Sequence, residues 1–199
     1  MTPARGPAGR AAAAAMAAYV GAVALIGLLG ADVRPLASSP AGVGRGQLVQ
    51  LLSSGLPVSG PWLPPALLLA GAGMLAARAA GPTRAAATGL LAHVAGTLIP
   101  YAALALVRVH SPHAWQAEWN APDFGVSLVF GSWLALTAVR DRNRTSGIAL
   151  GLLALALARP GESLAGAEHA CALLIGAACG LKGPAPRRPT SRVRALQSR

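Results

Sequence analysis

The sequence predicts an all-α, polytopic membrane protein built as a six-helix bundle, and three observations carry that expectation. Stretches rich in Ala, Leu, Gly and Val raise the hydrophobic share to 54% of 199 residues, whereas charged residues make up only 12%. The charges fall in short runs between those stretches, as they do in the loops between membrane spans. Six stretches approach the ~20 apolar residues that a helix needs to cross a bilayer.

The first expected span, "AAAAAMAAYVGAVALIGLLG", covers Ala11 to Gly30. Arg5 and Arg10 precede it, but it is longer than a usual signal core and no A-x-A site follows, so it reads as a retained span. The second is expected from Trp62 to Ala80, the third from Ala86 to Val107 and the fourth from Phe124 to Val139. A short fifth is expected from Ser146 to Ala158 and a sixth from Ser163 to Leu181. Between the first two, "GQLVQLLSSGLPVSG" is amphipathic and is expected to lie in the membrane interface. The chain thus divides into an N-terminal segment (1–10), a membrane domain (11–181) and a basic tail (182–199) that is expected to be disordered.

Alternate loops place thirteen Lys and Arg on one side and four, Arg34, Arg45, Arg108 and Arg159, on the other. The positive-inside rule then puts both termini in the cytoplasm of a multi-pass cell-membrane protein. A net charge of +11 distributed this way reports topology. A nucleic-acid partner is not expected, because its binder gathers basic residues on one soluble face. The tail is expected to rest on anionic lipid.

Cys171 and Cys179 stand eight residues apart on one expected helix, roughly 12 Å along its axis. That is too far for a disulfide without unwinding. No zinc spacing or phosphate-binding loop occurs, so neither a metal nor an organic cofactor is expected. Glycine pairs four residues apart, Gly147 with Gly151 and Gly176 with Gly180, read as sites of close helix approach.

Groups capable of chemistry inside the spans are few: His93 and Thr97 in the third, Ser127 and Ser132 in the fourth, Glu168, His169 and the two cysteines in the sixth. Polar and ionisable groups at membrane depth are costly and mark function by default. Ser127 lies four residues past Asp123, and His169 lies six past Ser163. Both fall within roughly 10 Å of the same end of parallel helices, so they can meet at one level. A serine hydroxyl becomes a nucleophile when a neighbouring base takes its proton, and an imidazole is the usual base. The plainer alternatives are a serine bonded back to its own helix and a histidine bridging two helices. Asp123 reads as a helix cap.

These residues resemble the rhomboid intramembrane serine proteases, which carry G-x-S at the outer end of a short fourth span and H-x-x-G-x-x-x-G in the sixth. "GVS" supplies Gly125 and Ser127, followed by Phe130 and Gly131, and "HACALLIG" supplies His169, Ala172 and Gly176. "RGQLVQLLSSGLPVSG" resembles the segment leading into the second span, and "ARAAGPTR" the turn that ends it. The likeness is closest to a divergent actinobacterial group of rhomboid-like membrane proteins that read D-x-G-V-S at the serine and carry a third-span histidine, as in "AHVAGTL".

The resemblance implies a serine endopeptidase acting through a Ser127–His169 dyad on a membrane-anchored protein substrate near the outer leaflet. Gly131, Ala172 and Gly176 would pack helices. Two departures bear on activity. The family's H-x-x-x-N in the second span aligns with Pro61 and Pro65, which removes two oxyanion donors, and the glycine after the nucleophile is replaced by Leu128, a bulky group expected near where substrate would approach. Backbone groups at Gly125 and Leu128, with Thr97 or the deeper His93, are the supporting candidates; an internal hydrogen bond is the more ordinary role for both side chains. The alternative is a rhomboid pseudoprotease that binds client membrane helices without cutting them. A small transporter would need buried charges along a path and an internal repeat; Glu168 is one buried acid, and no repeat occurs. The sequence leaves the oligomeric state open.

Overall fold

The computed structural model describes residues 6–30, 32–58, 61–141 and 163–181. Among the described residues eight α-helices follow in order: α1 Pro7–Leu29, α2 Pro40–Gly44, α3 Leu48–Ser53, α4 Leu63–Ala80, α5 Pro82–His110, α6 Gln116–Asn120, α7 Val126–Asp141 and α8 Leu164–Leu181. A single 3₁₀ turn, Arg34–Leu36, precedes α2. No strand forms among the described residues; the only sheet-like pairing is an isolated antiparallel bridge between Ser38 and Asp123.

Four helices, α1, α4, α5 and α8, are long and apolar enough to cross a membrane. The helix Val126–Arg140 is apolar but shorter, about 22 Å at ~1.5 Å per residue. These five fall where the first four and the sixth spans are expected. The expected fifth span and the basic tail lie outside the described residues.

Local chemistry sets the helix ends. Pro sits in the first turn of α1, α4 and α5, where no intrahelical N–H is lost. Gly30 closes α1 in the left-handed region at φ 60°, a conformation that costs a glycine nothing. Gly81, at φ 85°, ends α4 and starts α5 in one residue. Pro100 lies inside α5 and is buried, a position that neighbouring helices tolerate in membrane bundles.

The bundle buries many alanines and exposes many of its leucines. Ala66, Ala72, Ala76, Ala85, Ala92, Ala135 and Ala172 are all buried, while Leu25, Leu28, Leu67, Leu68, Leu106 and Leu174 are exposed. An exposed apolar surface on every long helix suits lipid contact, and a small-residue interior lets backbones approach closely. In α8 the glycine pair behaves as expected: a Cβ on Gly176 would meet the Ser132 backbone, and one on Gly180 would lie 2.8 Å from Val139 Cβ. Both α5 and α7 pack extensively on α8. Cys171 and Cys179 are free thiols.

The interface segment is a short helix, α3, that leaves Leu48, Val49 and Leu52 exposed while burying Leu51. Trp133 anchors the opposite half of the core. It stacks edge-on with Tyr19 and donates its indole N–H to the Ala85 carbonyl at 2.7 Å. Closely packed Gly73 and Gly89 leave it room. Trp133→Phe removes that hydrogen bond and leaves unfilled the space of the larger ring. It should cost about 1–3 kcal/mol, read as an earlier thermal unfolding transition by circular dichroism in detergent.

Candidate functional site

Ser127 is the second residue of α7 and His169 stands in the second turn of α8. Their side chains meet: His169 Nε2 lies 2.7 Å from Ser127 Oγ. With Nε2 unprotonated, the serine hydroxyl donates to it, the geometry of a hydroxyl beside a general base. Both residues are half-buried. The plainer serine role, a bond back to its own helix, falls instead to Ser132, whose hydroxyl donates to the Val129 carbonyl at 2.9 Å.

A cavity of about 220 Å³ opens on Ser127, lined by Pro57, Val58, Pro65, Leu68, Phe124, Val126 and Phe130. Apart from the serine its walls carry apolar side chains. Pro65, in the first turn of α4, thus faces this space without a side-chain donor. The available donors are backbone groups, because the first turn of a helix leaves N–H groups without intrahelical partners. At the entry to α7 several are already engaged: Gly125 N–H donates to the Ser54 carbonyl at 2.8 Å and Leu128 N–H to the Gly125 carbonyl at 3.0 Å.

The four supporting candidates separate. Gly125 is buried two residues before the serine, and a Cβ there would run into the His93 ring. His93 is 4% exposed and donates through Nε2 to the Leu51 carbonyl at 2.7 Å, since a carbonyl oxygen can only accept. It therefore bridges α5 to the α3 segment, the helix-bridging role, and lines a separate cavity of about 380 Å³ with Met16, Tyr19 and Trp133. Thr97 is fully buried, and its hydroxyl has no hydrogen-bond partner among the described residues. It does not line the Ser127 cavity, and no internal hydrogen bond replaces that role. Leu128 corrects the sequence reading more directly. It is 1% exposed and packs against Ala92 and Ala172, because residues adjacent on a helix point about 100° apart. Its bulk fills the core away from any approach to Ser127.

Gly131, Ala172 and Gly176 lie in helix contacts. Gly131 faces Leu173, Gly96 faces Ala172, and Gly176 abuts Ser132. His169, Ala172, Gly176 and Gly180 follow the i, i+3, i+7, i+11 spacing that makes one stripe of α8. The sequence pattern and the seating of His169 therefore have one cause.

A second polar group next to the dyad escaped the sequence reading. Asp123 exchanges backbone hydrogen bonds with Ser38, N–H to carbonyl at 2.8 Å and 3.2 Å. Its Oδ2 accepts from the Tyr101 hydroxyl at 3.1 Å, and Ser38 Oγ stands 3.5 Å away. Ser38 Oγ gives its one proton to Ser54 Oγ at 3.2 Å. Asp123 is thus the hub that fastens the 34–58 segment and α5 to the entry of α7, more than a cap. Glu168 is 2% exposed, and its Oε1 has no hydrogen-bond partner among the described residues. The one sequence signal for this group was the stripe His93, Thr97, Tyr101, spaced four residues apart along α5.

Compared with protein-family models, curated proteins and solved structures, the chain matches none.

Proposed function

We propose that this protein is a rhomboid-like intramembrane serine protease, with six membrane helices and both termini in the cytoplasm. Ser127 is its nucleophile and His169 its general base. The observation that carries the reading is the 2.7 Å approach of His169 Nε2 to Ser127 Oγ, made between two separate apolar helices at the edge of a small cavity. Ser127 attacks a peptide carbonyl in a membrane-anchored protein, passing its proton to His169. Backbone N–H groups of the first turn of α7 other than that of Leu128, which is engaged by Gly125, hold the oxyanion. The imidazolium then protonates the leaving amine, and water releases the acyl-enzyme. A substrate helix must unwind locally to enter a cavity of about 220 Å³.

A second reading, a pseudoprotease that binds membrane helices, draws on the same cavity. Its walls offer Pro65 where the resembling family has a donor, and loss of one oxyanion donor costs about 100- to 1,000-fold in rate.

The test is a fluorescent fluorophosphonate, applied to wild type and Ser127→Ala in detergent from pH 5 to 9. The protease reading expects labelling of wild type alone, increasing as His169 loses its proton. Equal background labelling of both proteins would sink it and turn the search to bound client helices.

A further inference from the structure

We propose that a groove between α1 and α4 seats an acyl chain of an anionic phospholipid, with the Arg78 guanidinium holding the lipid's phosphate.

The groove holds about 610 Å³ and runs from Ala13 to Gly21 along α1 and from Ala70 to Arg78 along α4, with Trp133 of α7 among its walls. Gly73 and Trp133 are buried, whereas Ala17, Gly21, Met74 and Arg78 are exposed. It therefore has a closed floor and an open side on the outer surface of two helices that are long and apolar enough to cross a membrane.

Three features select its occupant. The first is chemistry. Apart from Arg78 the side chains on its walls are apolar, and apolar space of this kind excludes water yet accepts hydrocarbon, a void of about 150 Å³ being enough for a benzene. The second is length. Ala13 to Gly21 covers roughly 12 Å at ~1.5 Å per residue, most of one leaflet's share of a hydrocarbon core ~30 Å thick. An acyl chain reaching from its headgroup towards the bilayer midplane fits that length. A second membrane helix would extend far beyond the groove.

The third is charge, and it lies at one end. A Cβ on Gly27 would run into Trp62, and one on Gly73 would lie 3.4 Å from Met16 Cε. The two helices are thus antiparallel, in a register that brings Arg78 level with Arg10. Arg84 stands at the same end, three residues beyond Gly81, which joins α4 to α5. Gly89 faces Trp133 and Gly125 faces His93, so α7 runs antiparallel to α5 and brings Arg140 and one acid, Asp141, to that end too. The planar guanidinium of Arg78 presents paired N–H donors that match phosphate oxygens. The surrounding positive charge favours a headgroup with a net negative charge over one that carries its own cation.

Native mass spectrometry of the full chain in detergent, with phosphatidylglycerol or phosphatidylcholine added, tests the site. One phosphatidylglycerol should remain on each chain, bound about fivefold more tightly than phosphatidylcholine. Arg78→Gln should weaken it about tenfold. Ala17→Trp, which fills the groove midway from an exposed position, should weaken it to a similar degree with Arg78 intact. Gly21→Leu serves the same purpose if Ala17→Trp does not fold, because a Cβ there meets nothing within 4 Å. Arg45→Gln removes the same charge from an exposed residue outside the groove and should change nothing. Thermal unfolding in lipid-free detergent identifies the variants that fold. Equal affinity for the two lipids would overturn the proposal, as would equal weakening by Arg78→Gln and Arg45→Gln, which would reduce it to general attraction. Undiminished binding in a folded groove-filling variant would put the lipid elsewhere. Wild-type dimers that Ala17→Trp dissociates would give the groove to a second copy of the chain.

Discussion

Gly176→Ala should destabilise the protein by about 3 kcal/mol and abolish probe labelling, whereas Gly131→Ala should do neither. Both glycines lie inside apolar helices, so intrinsic propensity favours alanine at each by about 1 kcal/mol. Their surroundings differ. A Cβ on Gly131 meets only Leu173 Cδ2, at 3.7 Å, an ordinary contact. A Cβ on Gly176 would press on the Ser132 carbonyl oxygen and lie 2.8 Å from its Cα and 2.9 Å from Ala135 Cβ. Two of those three atoms are backbone, which cannot rotate aside as a side chain can. Relief requires α8 to move off α7, and overpacking of this kind costs about 1–3 kcal/mol or more. His169 stands seven residues earlier on the same stripe of α8, so the displacement also opens its 2.7 Å contact with Ser127. Thermal unfolding and labelling of the two alanine variants, side by side, check the prediction. Similar stability for both would mean that the α7–α8 contact is looser than its geometry.

The pairing of Ser127 with His169 was legible in the sequence because helices translate residue number into depth at a constant rise. Counting from Asp123 and from Ser163 brought two distant residues to one level, and no tertiary knowledge was needed. The stripe from His169 to Gly180 was legible for a similar reason, since small residues at helical spacing imply close approach. Leu128 was misjudged because adjacency in sequence to a nucleophile says nothing about which face a helical residue occupies. Thr97 was misjudged for another reason. Its level along α5 suited the site, but lateral position depends on how the helices are arranged around the cavity. The Asp123 hub lay beyond reach because Ser38 and Ser54 belong to an irregular segment with no period to read. Its placement follows from an isolated bridge and a few side-chain hydrogen bonds.

Gly125→Ala should slow reaction of Ser127 with a serine-hydrolase probe about 100-fold, and His93→Ala added to it should restore part of the loss. Gly125 is fixed on three sides. Its N–H is held by the Ser54 carbonyl at 2.8 Å, its own carbonyl accepts from Leu128 N–H at 3.0 Å, and the His93 ring covers its Cα. The ring cannot retreat freely, because Nε2 is tied to the Leu51 carbonyl at 2.7 Å and also sits against Gly55, where a Cβ would lie 3.0 Å from it. A methyl group on residue 125 therefore pushes the chain at the very start of α7, two residues ahead of the nucleophile. A shift of about 1 Å in reacting groups costs about 100-fold, and a 2.7 Å hydrogen bond does not survive it. Truncating His93 removes the obstacle and leaves space for the methyl, though the Leu51 carbonyl keeps only the bond from Ser54 Oγ at 3.1 Å, which limits the gain to about tenfold. His93→Ala alone should destabilise the fold yet leave Ser127 reactive, since the ring touches neither member of the dyad. If Gly125→Ala reacts at the wild-type rate, the entry to α7 is plastic and His93 carries no influence on the site. If the double variant reacts no faster than Gly125→Ala, the damage comes from the backbone at 125 itself and the steric path through His93 is wrong.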